Sequence, residues 1–117
     1  MQRPWVIDTS RIEEWMATLS SGERTRMVAL ISLLSDYGPQ LGRPYVGKIV
    51  GSKHSAMKEL RVSGEQGRVL RVLFCFAPNR TAVCLRAGDK SGNWSGWYSR
   101  EIALADDEFD RYVRSIS

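Results

Sequence analysis

The chain has 117 residues, of which 43% are hydrophobic and 26% charged, and its formal net charge is +4. This length and composition are typical of one compact domain, predicted here as residues 1–117, and they exclude a disordered chain. One histidine and two cysteines are too few for a disulfide framework or a four-cysteine zinc site, and neither a ~20-residue apolar span nor a secretory signal is visible, so we expect a cytoplasmic protein without a metal or membrane contact.

The N-terminal third has helical spacing after one short apolar run. Residues 5–7 are compatible with a first strand, and apolar residues at i, i+3, i+4 and i+7 predict a helix over 12–19. Ser20 and Glu23 have the spacing of a capping box, which predicts that a second helix begins there and ends at 38–39, a Gly-Pro pair. The short link between the two helices predicts an antiparallel helical hairpin.

From residue 57 onward the hydrophobic period changes to two. Residues 38–56 are predicted as a loop with a short extended piece near 46–50. Alternation then predicts three strands, at 57–62, 68–77 and 80–87, and helical spacing returns after Ser99. These elements predict an α+β fold in which the helices lie on one face of a small antiparallel sheet, with an N-terminal helical hairpin packed on the sheet and a C-terminal helix after it.

The positive charge is concentrated in the middle of the chain. Residues 43–100 carry 11 basic and 3 acidic side chains, a net of +8, whereas residues 1–42 have a net charge of −1 and residues 101–117 of −3. A surface for a polyanion and an ordinary solvated basic surface both explain this distribution. The charge pattern alone leaves these two interpretations open.

Strand alternation sorts the side chains of the sheet into two faces. One face is apolar and consists of Leu60, Val62, Leu70, Val72, Phe74, Phe76, Val83 and Leu85. The other, predicted to be half-open, carries Arg61, Arg71 and Arg86 with Glu59, and a two-residue turn at 78–79 would pair Arg71 with Arg86. Like charges opposed across strands are unfavourable, and arginine suits bidentate phosphate contacts, so we predict an anion site. The alternative is a structural ion pair of Glu59 with one arginine.

Several stretches of the chain resemble the RelE/HigB-like toxins of bacterial toxin–antitoxin modules, in particular the HigB-like, phage-related branch. The matching stretches are Leu-Leu-Ser-Asp-Tyr-Gly-Pro at 33–39, Leu-Gly-Arg-Pro at 41–44, Lys-Glu-Leu-Arg at 58–61, Arg-Val-Leu-Phe at 71–74, Ala-Gly-Asp-Lys at 87–90 and Trp-Tyr at 97–98. The resemblance covers nearly the whole chain, and it depends on the order and spacing of these stretches together.

The resemblance implies a RelE-like fold and an mRNA endoribonuclease that commonly acts on the ribosome. It implies a small helix-turn-helix antitoxin, similar to HigA, as partner. It also implies metal-independent chemistry without a cofactor, in which the ribose 2′-OH attacks the adjacent phosphate and leaves a 2′,3′-cyclic phosphate and a 5′-OH. Such a reaction needs a base, cations at the phosphate and an acid at the leaving oxygen.

The resemblance also implies roles for single residues. Arg71 matches an arginine that contacts the scissile phosphate, and Arg61 matches a second basic position on the neighbouring strand. Lys90 matches a basic residue after the last strand, and Tyr98 matches a tyrosine that stacks on a base or transfers a proton. Lys58 matches a lysine that is catalytic in some members, but alternation places it on the face opposite Arg61, so it is predicted only as an RNA contact.

Four further residues are candidates for RNA binding. Arg86 lies on the basic sheet face, and His54 lies in the loop before it, although a lone histidine in such a loop is more often solvated. Trp94 and Trp97 could stack on bases or hold their loop against the core. The polar stretch at 89–94 dilutes the basic run that many family members carry there. This difference keeps open the alternative function, a non-catalytic module of the same fold that binds RNA or an antitoxin.

Overall fold

The computed structural model of the protein describes residues 4–117. The elements are, in chain order, β1 (Val6–Asp8), α1 (Glu13–Met16), α2 (Ser21–Tyr37), β2 (Val46–Lys48), β3 (Met57–Ser63), β4 (Val69–Phe76), β5 (Thr81–Asp89) and α3 (Trp94–Ile116), with a 3-10 turn at Gly38–Gln40. The strands form a five-stranded sheet in the order β1-β5-β4-β3-β2. It is antiparallel except for β1, which pairs parallel to β5. No helix within residues 4–117 is long and apolar enough to span a membrane.

The helices α2 and α3 cover opposite faces of the sheet. On one face, α2 buries an apolar stripe against the strands, consisting of Met27, Leu30 and Leu34 against Leu60, Val72 and Phe74. On the other, α3 forms a second core, in which Trp97, Ile102, Ala105 and Phe109 pack with Leu73, Cys75, Val83 and Leu85. The predicted placement of the helices on one face of a half-open sheet is therefore wrong. The residues between the arginines on the second face are themselves apolar, and α3 removes them from water.

The predicted N-terminal helical hairpin is not confirmed. The first helix is a single turn, Glu13–Met16, rather than the predicted 12–19. After Met16 the hydrogen bonds change to the tighter i to i+3 pattern, since the Thr18 N–H donates to the Trp15 carbonyl at 2.9 Å and the Leu19 N–H to the Met16 carbonyl at 3.2 Å. Ser20 then adopts an extended backbone (φ −65°, ψ 164°) and caps α2, so no regular helix continues from α1 into α2.

The predicted capping box is confirmed, and its glutamate has a second role. The hydroxyl of Ser20 accepts a hydrogen bond from the Glu23 N–H at 3.1 Å, and Glu23 Oε1 accepts one from the Ser20 N–H at 3.0 Å. Glu23 is fully buried, and its Oε2 also accepts from the N–H of Glu65 at 2.8 Å and from Nε of Arg68 at 2.9 Å. These bonds fasten the loop between β3 and β4 to the start of α2.

The same bonds predict how stability depends on pH. The hydrogen bonds from the backbone of Glu65 and Ser20, together with Arg68, lower the pKa of Glu23 from 4.5 to about 2. Between these values the unfolded chain binds more protons, so the contribution of Glu23 to stability is complete above pH 4.5 and is lost as the pH falls towards 2.

We therefore expect Glu23→Gln to be less stable than the wild type at neutral pH, with a difference that shrinks on acidification. Urea unfolding midpoints measured across this range test the expectation. Glu14→Gln, which removes an exposed carboxylate of α1, is the matched control. A stability difference between Glu23→Gln and wild type that stays constant down to pH 2 would contradict it.

The turn between β4 and β5 is longer by one residue than predicted. The Ala77 N–H donates to the carbonyl of Thr81 at 2.8 Å, so residues 78–80 form the turn, and Arg80 has a positive φ of 63°. A register shift follows at Leu73/Phe74. The predicted pairing of Arg71 with Arg86 is therefore wrong, because Arg71 lies opposite Gly88 on β5. The same change moves Val83 and Leu85 from the predicted apolar face to the α3 face.

Candidate active site

Arg61 and Arg71 lie directly opposite each other on the neighbouring strands β3 and β4. Two opposed guanidinium groups repel each other, and this pair is compensated by Glu59, two residues before Arg61 on the same face. Glu59 Oε2 lies 3.1 Å from Nε of Arg61 and 3.7 Å from Nε of Arg71. The carboxylate is nearly inaccessible, since Glu59 is 3% exposed. The three side chains thus form one charged cluster with a buried acid between two bases.

Arg71 is held rigidly but keeps an unused donor. Its Nη1 donates to the carbonyl of Leu70 at 2.9 Å, and its side chain is only 16% exposed. Its Nε is buried without a hydrogen-bond partner. A buried donor without a partner is costly, and such groups in native proteins are often found where a ligand binds. An anion at this position would supply the missing acceptor.

The position of Arg61 depends on a glycine of the edge strand. Gly47 on β2 pairs with Glu59 on β3, and the Arg61 guanidinium lies over the Gly47 backbone. A Cβ atom at residue 47 would collide with that guanidinium. The absence of a side chain there allows Arg61 to lie across β2 beside the carboxylate.

The first turn of α3 adds Tyr98 to the cluster. Its hydroxyl donates a hydrogen bond to Glu59 Oε1 at 2.5 Å. Burial of the phenol, together with the hydrogen bond to Glu59 and the charge of Glu59, raises the pKa of Tyr98 to about 12. Tyr98 is therefore protonated at neutral pH, where it acts as a hydrogen-bond donor and not as a base.

Lys90, directly after β5, lies under two aromatic rings. Its Nζ is 3.7 Å from the ring centroid of Trp94 and 5.0 Å from that of Tyr98, and the residue is 6% exposed. Burial, followed by the charge of the nearby Arg71, lowers the pKa of Lys90, and Glu59 opposes this shift. A lysine in this environment gives up a proton more readily than an exposed one.

Trp97 is part of the wall of the cluster and packs on a glycine. The ring lies 5.2 Å from that of Tyr98 in an edge-to-face arrangement, and the residue is 6% exposed. An ideal Cβ on Gly88 would lie 2.8 Å from the Trp97 Nε1. Gly88 therefore allows the start of α3 to approach β5 closely.

This contact predicts that Gly88→Ala is destabilising. The added methyl group would force Trp97 out of its packed position, and overpacking of this kind costs about 1–3 kcal/mol. Thermal unfolding followed by tryptophan fluorescence measures the effect. Gly42→Ala is the matched control, because a Cβ at residue 42 meets nothing within 4 Å. An equal melting temperature for both variants would contradict the expectation.

The four predicted catalytic residues, Arg61, Arg71, Lys90 and Tyr98, are linked in the structure through contacts with Glu59 and with each other. Lys90 and Tyr98 contact one another, and Arg71 and Glu59 both influence the pKa of Lys90. Sequence reasoning assigned Glu59 only a neutralising role. The Glu-Leu-Arg spacing could have indicated that Glu59 belongs to the site, because alternation places Glu59 and Arg61 on one face of β3.

The five predicted RNA contacts are dispersed. Trp94 is 57% exposed with its ring on Lys90, whereas Trp97 is buried. Lys58 lies on the α2 side of the sheet, 5.6 Å from the ring centroid of Phe76, as alternation predicted.

Arg86 and His54 make contacts with α3 instead of joining the cluster. Arg86 Nε donates to Glu101 Oε1 at 2.8 Å. His54 Nε2 lies 2.8 Å from Asp110 Oδ1, and its ring packs edge-to-face on Phe109 at 4.9 Å. The His54 contacts hold the loop before β3 against the last helix.

The cluster combines three cations with one carboxylate. Arg61, Arg71 and Lys90 exceed the charge of Glu59, so the site attracts an anion, and arginine donors suit phosphate oxygens. In the described part of the chain, residues 4–117, no three His, Cys, Asp or Glu side chains are grouped so that they could hold a metal ion. The arrangement supplies cations, a buried proton acceptor and a lysine proton donor.

Comparison with known proteins identifies the family. The family model described as "Phage derived protein Gp49-like (DUF891)" matches residues 14–110. Two proteins of Mycobacterium tuberculosis (strain ATCC 25618 / H37Rv) are similar to the chain. The protein named "Putative toxin HigB2" is 42% identical over 110 residues, which are 93% of this chain and 54% of that protein. The protein named "Putative toxin HigB3" is 39% identical over 110 residues, 94% of each chain.

The chain thus spans about half the length of the first relative and nearly all of the second. No solved structure matches it. The family match extends from α1 into α3 and so includes every residue of the charged cluster. Together with relatives at about 40% identity, it shows that the chain belongs to the Gp49-like family of phage-derived proteins, in agreement with the predicted resemblance to the phage-related HigB branch.

Proposed function

We propose that the chain is the toxin of a toxin–antitoxin module and that it cleaves messenger RNA. The names of its two relatives support the toxin assignment. The observation that carries the enzymatic part is the convergence of Arg61 and Arg71 on the buried carboxylate of Glu59, with Lys90 against the ring of Tyr98, whose hydroxyl bonds the same carboxylate.

The two arginines act on the scissile phosphate. Arg61 and Arg71 bind its non-bridging oxygens and stabilise the additional negative charge of the pentavalent transition state. Arg71 contributes a guanidinium fixed by the Leu70 carbonyl, with its side chain 16% exposed, and Arg61 contributes one whose side chain is 36% exposed. Glu59 keeps both groups in place before the substrate binds.

The remaining groups transfer protons. Arg61, whose side chain is more exposed than the carboxylate it covers, turns to the phosphate, and Glu59 then accepts the proton of the ribose 2′-OH as the 2′-oxygen forms a bond to phosphorus. The bond from phosphorus to the 5′-oxygen breaks, and Lys90 donates a proton to that oxygen. Tyr98 positions the Glu59 carboxylate through its hydrogen bond. The products are a 2′,3′-cyclic phosphate and a 5′-OH, and the scheme uses no metal or cofactor.

The partner, the substrate and the cellular effect are proposed from the resemblance to the family. We propose a small helix-turn-helix antitoxin similar to HigA as the partner that neutralises the toxin, and cytoplasmic mRNA, both free and bound on the ribosome, as the substrate. In this setting residues 1–117 act as one domain, and cleavage arrests translation and growth.

Expression of the chain in cells without an antitoxin tests the proposal. We expect growth arrest together with discrete new RNA ends in primer extension, both reduced in Lys90→Gln. Arg114→Gln, which removes an exposed charge at the end of α3, is the control and keeps both effects. Growth arrest with intact RNA would contradict the enzymatic assignment and favour the binding module, and unimpaired growth would contradict the toxin assignment.

A further inference from the structure

Two basic grooves meet at Arg61. The first, here called the hairpin groove, has a volume of about 440 Å³ and is lined by Arg61, Ser63, Gly64, Arg68 and Arg71 among others. The second, here called the edge groove, has a volume of about 360 Å³, lies beside β2, and is lined by Arg43, Gly47, Lys48, Lys58 and Arg61 among others. Both volumes are in the range of ligand-binding clefts. Since Arg61 lines both grooves, one ligand could occupy them together.

The linings of the two grooves have a single sign of charge. They contain six arginines and lysines and no aspartate or glutamate. Two like-charged pairs lie directly opposite each other on neighbouring strands, Lys48 with Lys58 and Arg61 with Arg71. Such pairs are unfavourable in an isolated protein. The two pairs lie on opposite faces of the sheet, and Arg61 lines both grooves at the edge between them, which points to a polyanion bound around this edge.

The edge groove has no internal counter-charge comparable with Glu59. Within residues 4–117, neither Lys48 nor Lys58 forms an ion pair, and Lys58 has only the ring of Phe76 beside its Nζ, at 5.6 Å. Lys48 is exposed. Without a carboxylate nearby, an external anion is the group that relieves the repulsion between them.

In the hairpin groove, a buried carboxylate holds the guanidinium of Arg68 in position. Arg68 pairs with the buried Glu23, which is itself held by the backbone of Ser20 and Glu65. The Arg68 side chain remains 38% exposed. Its guanidinium is thus oriented by Glu23 and still presents donors to the groove. Ser63 and Gly64 leave space for a backbone to approach.

We propose that a single RNA strand crosses the site at Arg61 and places its flanking phosphates in the two grooves, one against Arg68 and the other against Lys48 and Lys58. This inference rests on the proposed function, in which the scissile phosphate lies between Arg61 and Arg71. A phosphodiester chain is a ligand that carries one charge at the site and further charges on both sides of it. The two grooves therefore hold opposite flanks of the cut linkage, and Arg68 and Lys48 are binding residues that do not touch the reacting atoms.

The test uses a series of RNAs that contain the cleavage sequence, each with one neutral methylphosphonate linkage at a different position. All of these RNAs carry 2′-O-methyl riboses, so that they bind without being cut. Wild type, Lys48→Gln and Arg68→Gln are compared by fluorescence anisotropy. Arg68→Gln is also made in a Glu23→Gln background, so that no buried charge is left without its partner. Arg114→Gln serves as the control.

We expect each variant to lower the slope of log affinity against log salt by about 0.7, the value for one lost phosphate contact with a single strand. Wild type loses affinity when a flanking linkage on either side is neutralised. Lys48→Gln becomes insensitive on one side only, and Arg68→Gln on the other. Sensitivity of both variants to the same side, or unaltered sensitivity in both, overturns the inference.

Two other outcomes are distinguishable. If wild type neither binds nor cleaves RNA, the proposed function itself fails. If wild type cleaves RNA while Lys48→Gln and Arg68→Gln bind it as wild type does but lose affinity for the antitoxin, the grooves bind an acidic protein segment, and the RNA track is overturned while the proposed function stands.

Discussion

Replacing Arg71 with alanine is expected to lower the rate of RNA cleavage by about 10²–10³-fold, the usual loss when one preorganised donor to a transition-state oxyanion is removed. Arg71 is the more buried of the two strand arginines of the cluster, and within the described chain its Nε makes an ion pair with Glu59 at 3.7 Å but no hydrogen bond. The Nη1 bond to the Leu70 carbonyl fixes the guanidinium, so a phosphate oxygen would meet the group with little reorganisation. The fall should therefore appear mainly in kcat.

Single-turnover cleavage of a short RNA by purified protein measures this effect. Arg71→Lys is the informative companion, because it keeps the charge but loses the planar pair of donors, so an intermediate rate is expected. Arg86→Gln is a matched arginine on the same sheet face, whose Nε donates to Glu101 outside the cluster. Cleavage by Arg71→Ala at the wild-type rate would remove Arg71 from the active site.

Replacing Glu59 with glutamine is expected to separate catalysis from binding. The amide cannot accept the proton of the 2′-OH, and loss of a general base lowers rates by about 10²–10⁴-fold. The arginines also lose their internal counter-charge, so an uncleavable RNA should bind at least as tightly as it does to wild type. A purely structural role for Glu59 predicts weaker binding and weaker catalysis together.

The Glu59→Gln experiment needs a stability control, because the change leaves Arg61 and Arg71 opposed without compensation. Thermal unfolding defines the temperature at which the variant is folded, and kinetics are measured well below it. Tyr98→Phe provides a second comparison, since it keeps the carboxylate and removes only the hydrogen bond that positions it. We expect its rate to lie between those of wild type and Glu59→Gln.

Local patterns predicted the elements that depend on neighbouring residues. The capping box at Ser20 and Glu23 fixed the start of α2, and the period of two identified β3, β4 and β5. The face of Arg61 and Arg71 also followed from alternation, because β3 and β4 pair without a break between them. In these cases the spacing of residues along the chain directly determines which side chains lie together in space.

Relations that depend on one turn residue or on distant packing were not predicted. Arg80 adopts a positive φ, which lengthened the turn and moved half of β5 to the other face. A non-glycine residue gives little signal for that conformation. The position of α3 was also not predictable from the sequence, because apolar residues beside the arginines are compatible both with an open binding face and with a second core. The role of Glu59 was not predicted for the same reason, because its hydrogen bond from Tyr98 depends on the position of α3.

Product analysis with a single modified ribose tests the central claim most directly. Purified protein is incubated with an RNA that contains the mapped cleavage site, and with the same RNA carrying one 2′-deoxyribose on the 5′ side of the cut linkage. Our account predicts a 2′,3′-cyclic phosphate and a 5′-OH from the first RNA and no cleavage at that linkage in the second. Cleavage of the deoxyribose-containing linkage, or a product with a 5′-phosphate, would contradict attack by the 2′-OH and with it the roles assigned to Glu59 and Lys90.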